Sequence, residues 1–118
     1  MTTTELARRI AELTQEKLAS DVVILDMQPV CSYTDYLVIC SGNNARQTKA
    51  IFEEVHGRVK RELRLMPRSV AGAAEGSWIL ADYIDVVLHI FTPQTRDFYR
   101  LDDLWGDVPR EKLEALSA

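Results

Sequence analysis

The chain has 118 residues, 47% of them hydrophobic, and 14 Lys and Arg against 18 Asp and Glu give a net charge of −4. That length suits one domain with a real core, and the apolar fraction excludes a wholly disordered chain. No apolar run approaches the roughly 20 residues of a membrane span, and the negative balance argues against general nucleic-acid binding, which needs clustered positive charge.

The opening stretch carries Glu5, Glu12 and Glu16 and no apolar signal-peptide core, so a cytoplasmic protein is expected. Leu6, Ile10, Leu13 and Leu18 recur at helical spacing, with Arg8, Arg9, Glu12 and Glu16 on the other side. This predicts a helix over about Thr4 to Ala19, capped by one of the early threonines. Asp21 then opens VVILDM, a β-branched run suited to a strand buried on both faces, and Pro29 stops it. A loop over Ser32 to Thr34 leads through Asp35 into a second apolar strand, YLVICSG. Cys31 and Cys40 are too few for a disulfide framework, and Cys40 lies inside that strand, so both are expected as reduced thiols.

The polar cluster Ser41-Gly42-Asn43-Asn44 opens the longest predicted helix, about Ala45 to Arg64. Phe52, Val55, Val59 and Leu63 form its inner stripe, and Arg46, Lys49, Arg58, Lys60, Arg61 and Arg64 mostly lie outside. From Asn44 to Arg68 there are seven Lys or Arg against three Glu, whereas from Asp97 to Ala118 six acids face three bases. A charged outer stripe is ordinarily a solvated face. Its alternative is an RNA-binding surface around Arg58, Lys60 and Arg61. A short third strand is expected between Arg68 and Glu75, followed by a glycine-bearing loop.

Residues Ser77 to Trp105 hold both tryptophans and two of the four tyrosines. They read as strand, tight turn, strand and helix. With Tyr83-Ile84 as a two-residue turn, Asp82 pairs with Asp85, Leu80 with Val87, and Trp78 with His89, all on one face. Ile79, Ala81, Val86, Leu88 and Ile90 take the other face, which is core. The mixed face is either a recognition patch, with aromatic contact area and orienting charges, or a half-covered face with Trp78 beneath the last helix. Ile84 is a poor residue for such a turn, which favours Gly or Asn, and a wider turn is the alternative. Thr92-Pro93 starts the last helix, with Phe98, Leu101, Leu104 and Trp105 as its buried stripe, Tyr99 on its flank and Asp102-Asp103 outward. Pro109 follows, then a final turn over Glu111 to Leu116, the tail 107–118 being partly frayed.

The order helix, strand, strand, helix, short strand, strand, strand, helix predicts a single α/β domain over 1–118. Its mixed sheet has about five strands and flanking helices. Enzyme signals are weak. His56 and His89 match no metal spacing with Cys31 and Cys40, and no nucleophile elbow or glycine-rich phosphate loop occurs. The element order suits metal-dependent nucleotidyl transfer, but that chemistry wants paired carboxylates on one strand, and no Asp-x-Asp exists in the chain. No catalytic, cofactor-binding or metal-ligating residue is expected.

One combination is specific. Asp35-Tyr36, Cys40-Ser41-Gly42, Arg46-Gln47, Trp78 to Asp85, His89-Ile90-Phe91, Arg96, Phe98-Tyr99, Leu101 and Leu104-Trp105 together resemble the Iojap family of ribosomal silencing factors, over about Leu6 to Gly106. The resemblance implies a nucleotidyltransferase-like fold without the catalytic acids. It further implies a translation repressor that binds the large ribosomal subunit through ribosomal protein L-fourteen. Such a repressor blocks joining of the small subunit when nutrients are short, and it forms a homodimer when free. It favours the recognition reading of the mixed face, with Trp78, Leu80, Asp82, Tyr83 and Asp85 as contacts, Tyr99 and Glu75 beside them, and at most peripheral contact with ribosomal RNA. A divergent nucleotidyltransferase and an RNA-binding assembly module on helix 45–64 are the alternatives. The chain departs from the family pattern at Ala71-Gly72, where Glu-Gly is usual, and at Ile84, where Gly is usual.

Overall fold

The computed structural model describes residues 2–114. Helix α1 (Thr3–Glu16) starts where the Thr2 side chain accepts the Glu5 N–H at 3.1 Å. It buries Leu6, Ile10 and Leu13 as the spacing predicts, but it stops short of Leu18. Leu18 adopts φ 62 and points to solvent, 77% exposed, because the chain must reverse there to enter the sheet.

Strands β1 (Ser20–Asp26) and β2 (Tyr36–Ser41) pair antiparallel. Helix α2 (Ala45–Leu63) follows, with Asn44 accepting the Gln47 N–H at 2.9 Å. Strands β3 (Ser69–Ala71), β4 (Trp78–Asp82) and β5 (Val86–Phe91) form an antiparallel run. β5 lies parallel to β2, joining the two halves. A sixth strand that the sequence does not announce, β6 (Arg110–Lys112), pairs with β1 where a frayed turn was expected. The sheet order is β3-β4-β5-β2-β1-β6. β6 is three polar residues with no periodicity to read, and the unpaired edge of β1 is what orders it. The end of the expected turn, 115–116, and the last two residues of the tail lie outside the described residues.

α1 and α2 pack together over one sheet face, where Val22, Ile24, Val38, Cys40, Ile79, Leu88 and Ile90 meet Leu6, Ile10, Ile51, Val55 and Val59. Both cysteines are free, and burial pushes the Cys40 thiol up to about 12. The two helices are also tied at the surface. Arg58 bonds Glu62 at 2.8 Å, Glu54 at 3.0 Å and Glu16 at 3.4 Å, and Arg9 reaches Glu62 at 3.0 Å.

The opposite sheet face carries a second cluster of Val23, Leu25, Met27, Leu37, Ile39, Phe91 and Val108. Here the helix after Pro93 is broken into α3 (Pro93–Tyr99) and a single turn, α4 (Leu101–Leu104), by Arg100 at φ 48. The break corrects the predicted stripe. Phe98 and Leu104 are 79% and 67% exposed, while Leu101 and Trp105 pack on the sheet. The α3–α4 strap covers only part of this face.

Candidate functional site

The β4–β5 register is Trp78↔Phe91, Leu80↔His89 and Asp82↔Val87, two residues from the predicted pairing, because the turn is wider. A shift of two leaves side-chain alternation unchanged, so Trp78, Leu80, Asp82, Val87 and His89 do share the face away from α1 and α2, and Phe91 joins them. The parallel register with β2 sets Val87 beside Leu37 and His89 beside Ile39, which continues an apolar floor.

Trp78 stacks on Phe91 with ring centroids 4.9 Å apart and meets Tyr99 of α3 at 4.8 Å. Its indole Nε1 donates to His89 Nδ1 at 3.0 Å. Trp78 thus lies beneath the last helix and remains partly exposed. Burial lowers the His89 pKa to about 4, so the imidazole is neutral and accepts the indole proton. The strap that brings Tyr99 over Trp78 is held by Arg96. Its guanidinium donates to the Asp21 carbonyl at 2.8 Å, Ser41 Oγ at 2.9 Å and Asp102 Oδ2 at 2.7 Å. Burial works to raise the Asp102 carboxyl, and the Arg96 hydrogen bond and charge outweigh it, so its pKa lies below the usual carboxylate range. Asp102 therefore points inward, contrary to expectation. A polar crevice of about 320 Å³ at the ends of β2 and α3 surrounds this same guanidinium, whose hydrogen bonds are spent within the protein.

Beside the strap, a groove of about 310 Å³ opens on the sheet. Leu80, Val87 and His89 form its floor, Leu101 and Trp105 one wall, and Met27, Cys31 and Tyr33 another. Asp82, Arg68 and Ile84 close its end. The 27–34 loop and Arg68 escape sequence reading because a loop without periodicity gives no direction to its side chains; an aromatic in a polar loop, Tyr33, is the one signal that could have pointed there.

The expected contact residues separate accordingly. Leu80 and Asp82 line the groove, and Tyr99 flanks Trp78 above it. Asp82 is not a free carboxylate. Oδ2 accepts from Arg68 at 2.6 Å, and Oδ1 accepts the Ile84 N–H at 2.7 Å. Tyr83 is corrected outright: it is 3% exposed within the helix-side core, its hydroxyl has no partner among the described residues, and burial lifts its pKa to about 12. The wider turn rotates Tyr83 inward. Asp85 and Glu75 are exposed in the loops at opposite ends of β4. Arg58 is likewise separated from Lys60 and Arg61. It is enclosed by three glutamates on the α1 side, and the other two are exposed.

This arrangement defines a small α/β protein with a sealed helical side and an amphipathic, concave sheet side of the kind that receives another macromolecule. Among the described residues no three His, Cys, Asp or Glu side chains converge as metal ligands, and no helix is long and apolar enough to cross a membrane. The family described as "Ribosomal silencing factor during starvation" matches residues 1–118. The chain is 36% identical over 99 residues to ribosomal silencing factor RsfS of Bacillus subtilis, covering 84% of this chain and 83% of that one. It is 34% identical over 116 residues to the protein of the same name from Halalkalibacterium halodurans, covering 98% of each. A crystal structure from Chromobacterium violaceum superposes with a TM-score of 0.86 at 26% identity, covering 100% of this chain and 95% of that one. The chain belongs to the ribosomal silencing factor family.

Proposed function

We propose that this protein silences ribosomes by occupancy: it binds the large subunit through ribosomal protein L-fourteen and keeps the small subunit from joining when nutrients are short. One observation carries the reading, the open groove with an apolar floor on an otherwise covered sheet. A standard interface takes about 800 Å² from each partner, roughly an eighth of this chain's 6797 Å² of surface. Leu80, Val87 and Trp105 supply the desolvated centre, Trp78 and Tyr99 stiffen its edge, and Asp85 and Glu75 are exposed acids in the loops beyond the two ends of β4, outside the groove itself. The acids favour encounter with a basic partner and make binding salt-sensitive. The seated body, 34 × 33 × 30 Å, would exclude the small subunit from the surface that it covers. In this reading the protein acts in the cytoplasm, one folded domain over 1–118 does the work, and the free protein pairs as a homodimer.

Co-sedimentation with isolated large subunits tests the groove. Leu80 is half-buried at the surface, so Leu80→Lys keeps the fold and places a charge on the floor. It should weaken binding at least tenfold, as loss of a central contact does at about 2 kcal/mol. Asp85→Lys should act mainly on the association rate. Full-strength binding by both variants removes this face from the interface.

A further inference from the structure

We infer that the outward ridge of α2 is a second docking surface, one that receives the phosphate backbone of structured RNA. The side of α2 opposite Ile51, Val55 and Val59 presents Arg46, Lys49, Lys60 and Arg61, with Arg64 capping its end. None of these five takes part in an ion pair among the described residues. The acids that would balance them are drawn elsewhere. Glu54 and Glu62 turn to Arg58, and Glu62 also to Arg9, on the flank that meets α1. Glu53 alone stays on the ridge. A chain of net charge −4 thus keeps a basic strip about 27 Å long, at 1.5 Å per residue.

A second observation lies in the middle of the strip. Gly57 is an interior helical residue, where glycine weakens a helix relative to alanine. Its backbone is ordinary, and a Cβ there would meet only Arg61 Nη1 at 3.4 Å. Nothing in the packing asks for glycine. A bare backbone between flanking cations is what close approach of a partner asks for. The chemistry favours phosphate over an acidic protein, because the ridge carries no aromatic or large aliphatic anchor of the sort protein interfaces bury. Point charges that release counterions from a phosphate backbone need none.

The ridge and the groove lie on opposite sides of the sheet, so a body seated by its groove turns the ridge outward. The two surfaces also fail separately under test. Fluorescence anisotropy with a fully paired RNA hairpin, and with protein-free large-subunit RNA, reads the ridge alone. Log affinity should fall with log salt at a slope near about −4, given up to five phosphate contacts. The triple variant Arg46→Gln/Lys60→Gln/Arg64→Gln should cut that slope by about 3. Gly57→Gln should hold or raise the thermal midpoint and still weaken RNA binding several-fold. Lys112→Gln, which removes one positive charge on the distant β6, should change little, and Leu80→Lys should leave RNA binding intact. The inference is overturned if the wild-type chain does not hold RNA, or if the triple variant keeps the full slope. It is equally overturned if Gly57→Gln binds RNA as the wild type does, or if the ridge variants lose ribosome binding while naked RNA is ignored, which would make the partner an acidic protein.

Discussion

The indole N–H of Trp78 is spent on His89 Nδ1, which leaves the imidazole proton on Nε2 and makes the ring an acceptor that cannot charge without breaking the bond. Its pKa is lowered to about 4 from 6.5 by burial. The sign follows directly. Between those values the unfolded chain binds a proton that the folded chain refuses, so stability is complete above pH 6.5 and is lost as pH falls toward 4. The total is of order 3 kcal/mol. Glu62 and Glu111, held below the usual carboxylate range by Arg9 and Arg8 respectively, lose their contribution only at lower pH, so the window from 6.5 to about 5 isolates the histidine. Urea unfolding at pH 7, 6 and 5 should show a falling midpoint for the wild type. His89→Gln, whose amide oxygen can accept the same indole proton, should flatten it. An equal fall in both would place the acid sensitivity elsewhere.

At the scale of elements the β4–β5 turn stands out. The Asp85 N–H donates to the Tyr83 carbonyl at 2.9 Å around Ile84 at φ 74, a γ-turn in its rare, strained form. A β-branched residue is a poor occupant of that region. Asp82 Oδ1 holds the Ile84 N–H, and the Arg68 bond in turn orients that carboxylate. Ile84→Gly should therefore stabilise the protein by about 1 kcal/mol, seen as a higher thermal midpoint, although Ile84 loses some contact at the groove end. A lower midpoint would mean that the isoleucine side chain contributes more than its backbone costs. The same turn shows how much could be read from the chain. Ile84 signalled trouble in the turn, and the register was off by two, yet the division into core face and mixed face survived because alternation repeats every second residue. Helical phase has no such protection. One left-handed residue, Arg100, broke the phase: Leu101 and Trp105 still reach the sheet, but Leu104 is exposed and Asp102 turns inward. The groove was half legible: its strands came from pattern, while its loop wall and Arg68 came from tertiary packing.

The whole molecule is asymmetric across its sheet. One side is closed by two helices clamped through the Arg9, Glu62 and Arg58 pairs; the other is closed only where the Arg96-anchored strap reaches. The occupancy proposed above needs a stiff body more than a moving one, and the sealed side supplies it. Inhibition of subunit joining should then saturate at one copy per large subunit and show no catalytic excess, as measured by light scattering of mixed subunits against added protein. Complete inhibition at well under one copy per particle would refute occupancy.

The single parallel seam, β2 beside β5, has a consequence for how the chain is made. Each strand of the β1–β2 and β4–β5 hairpins finds its mate nearby in sequence, but the seam joins strands separated by all of α2, β3 and β4. Loop closure over that span is slow compared with hairpin formation. During synthesis the apolar flank of β2 must wait, uncovered, until the C-terminal half leaves the exit tunnel. The birth of this chain is thus exposed to premature self-adhesion along the edge of β2, and slower elongation across α2 would lengthen the exposure.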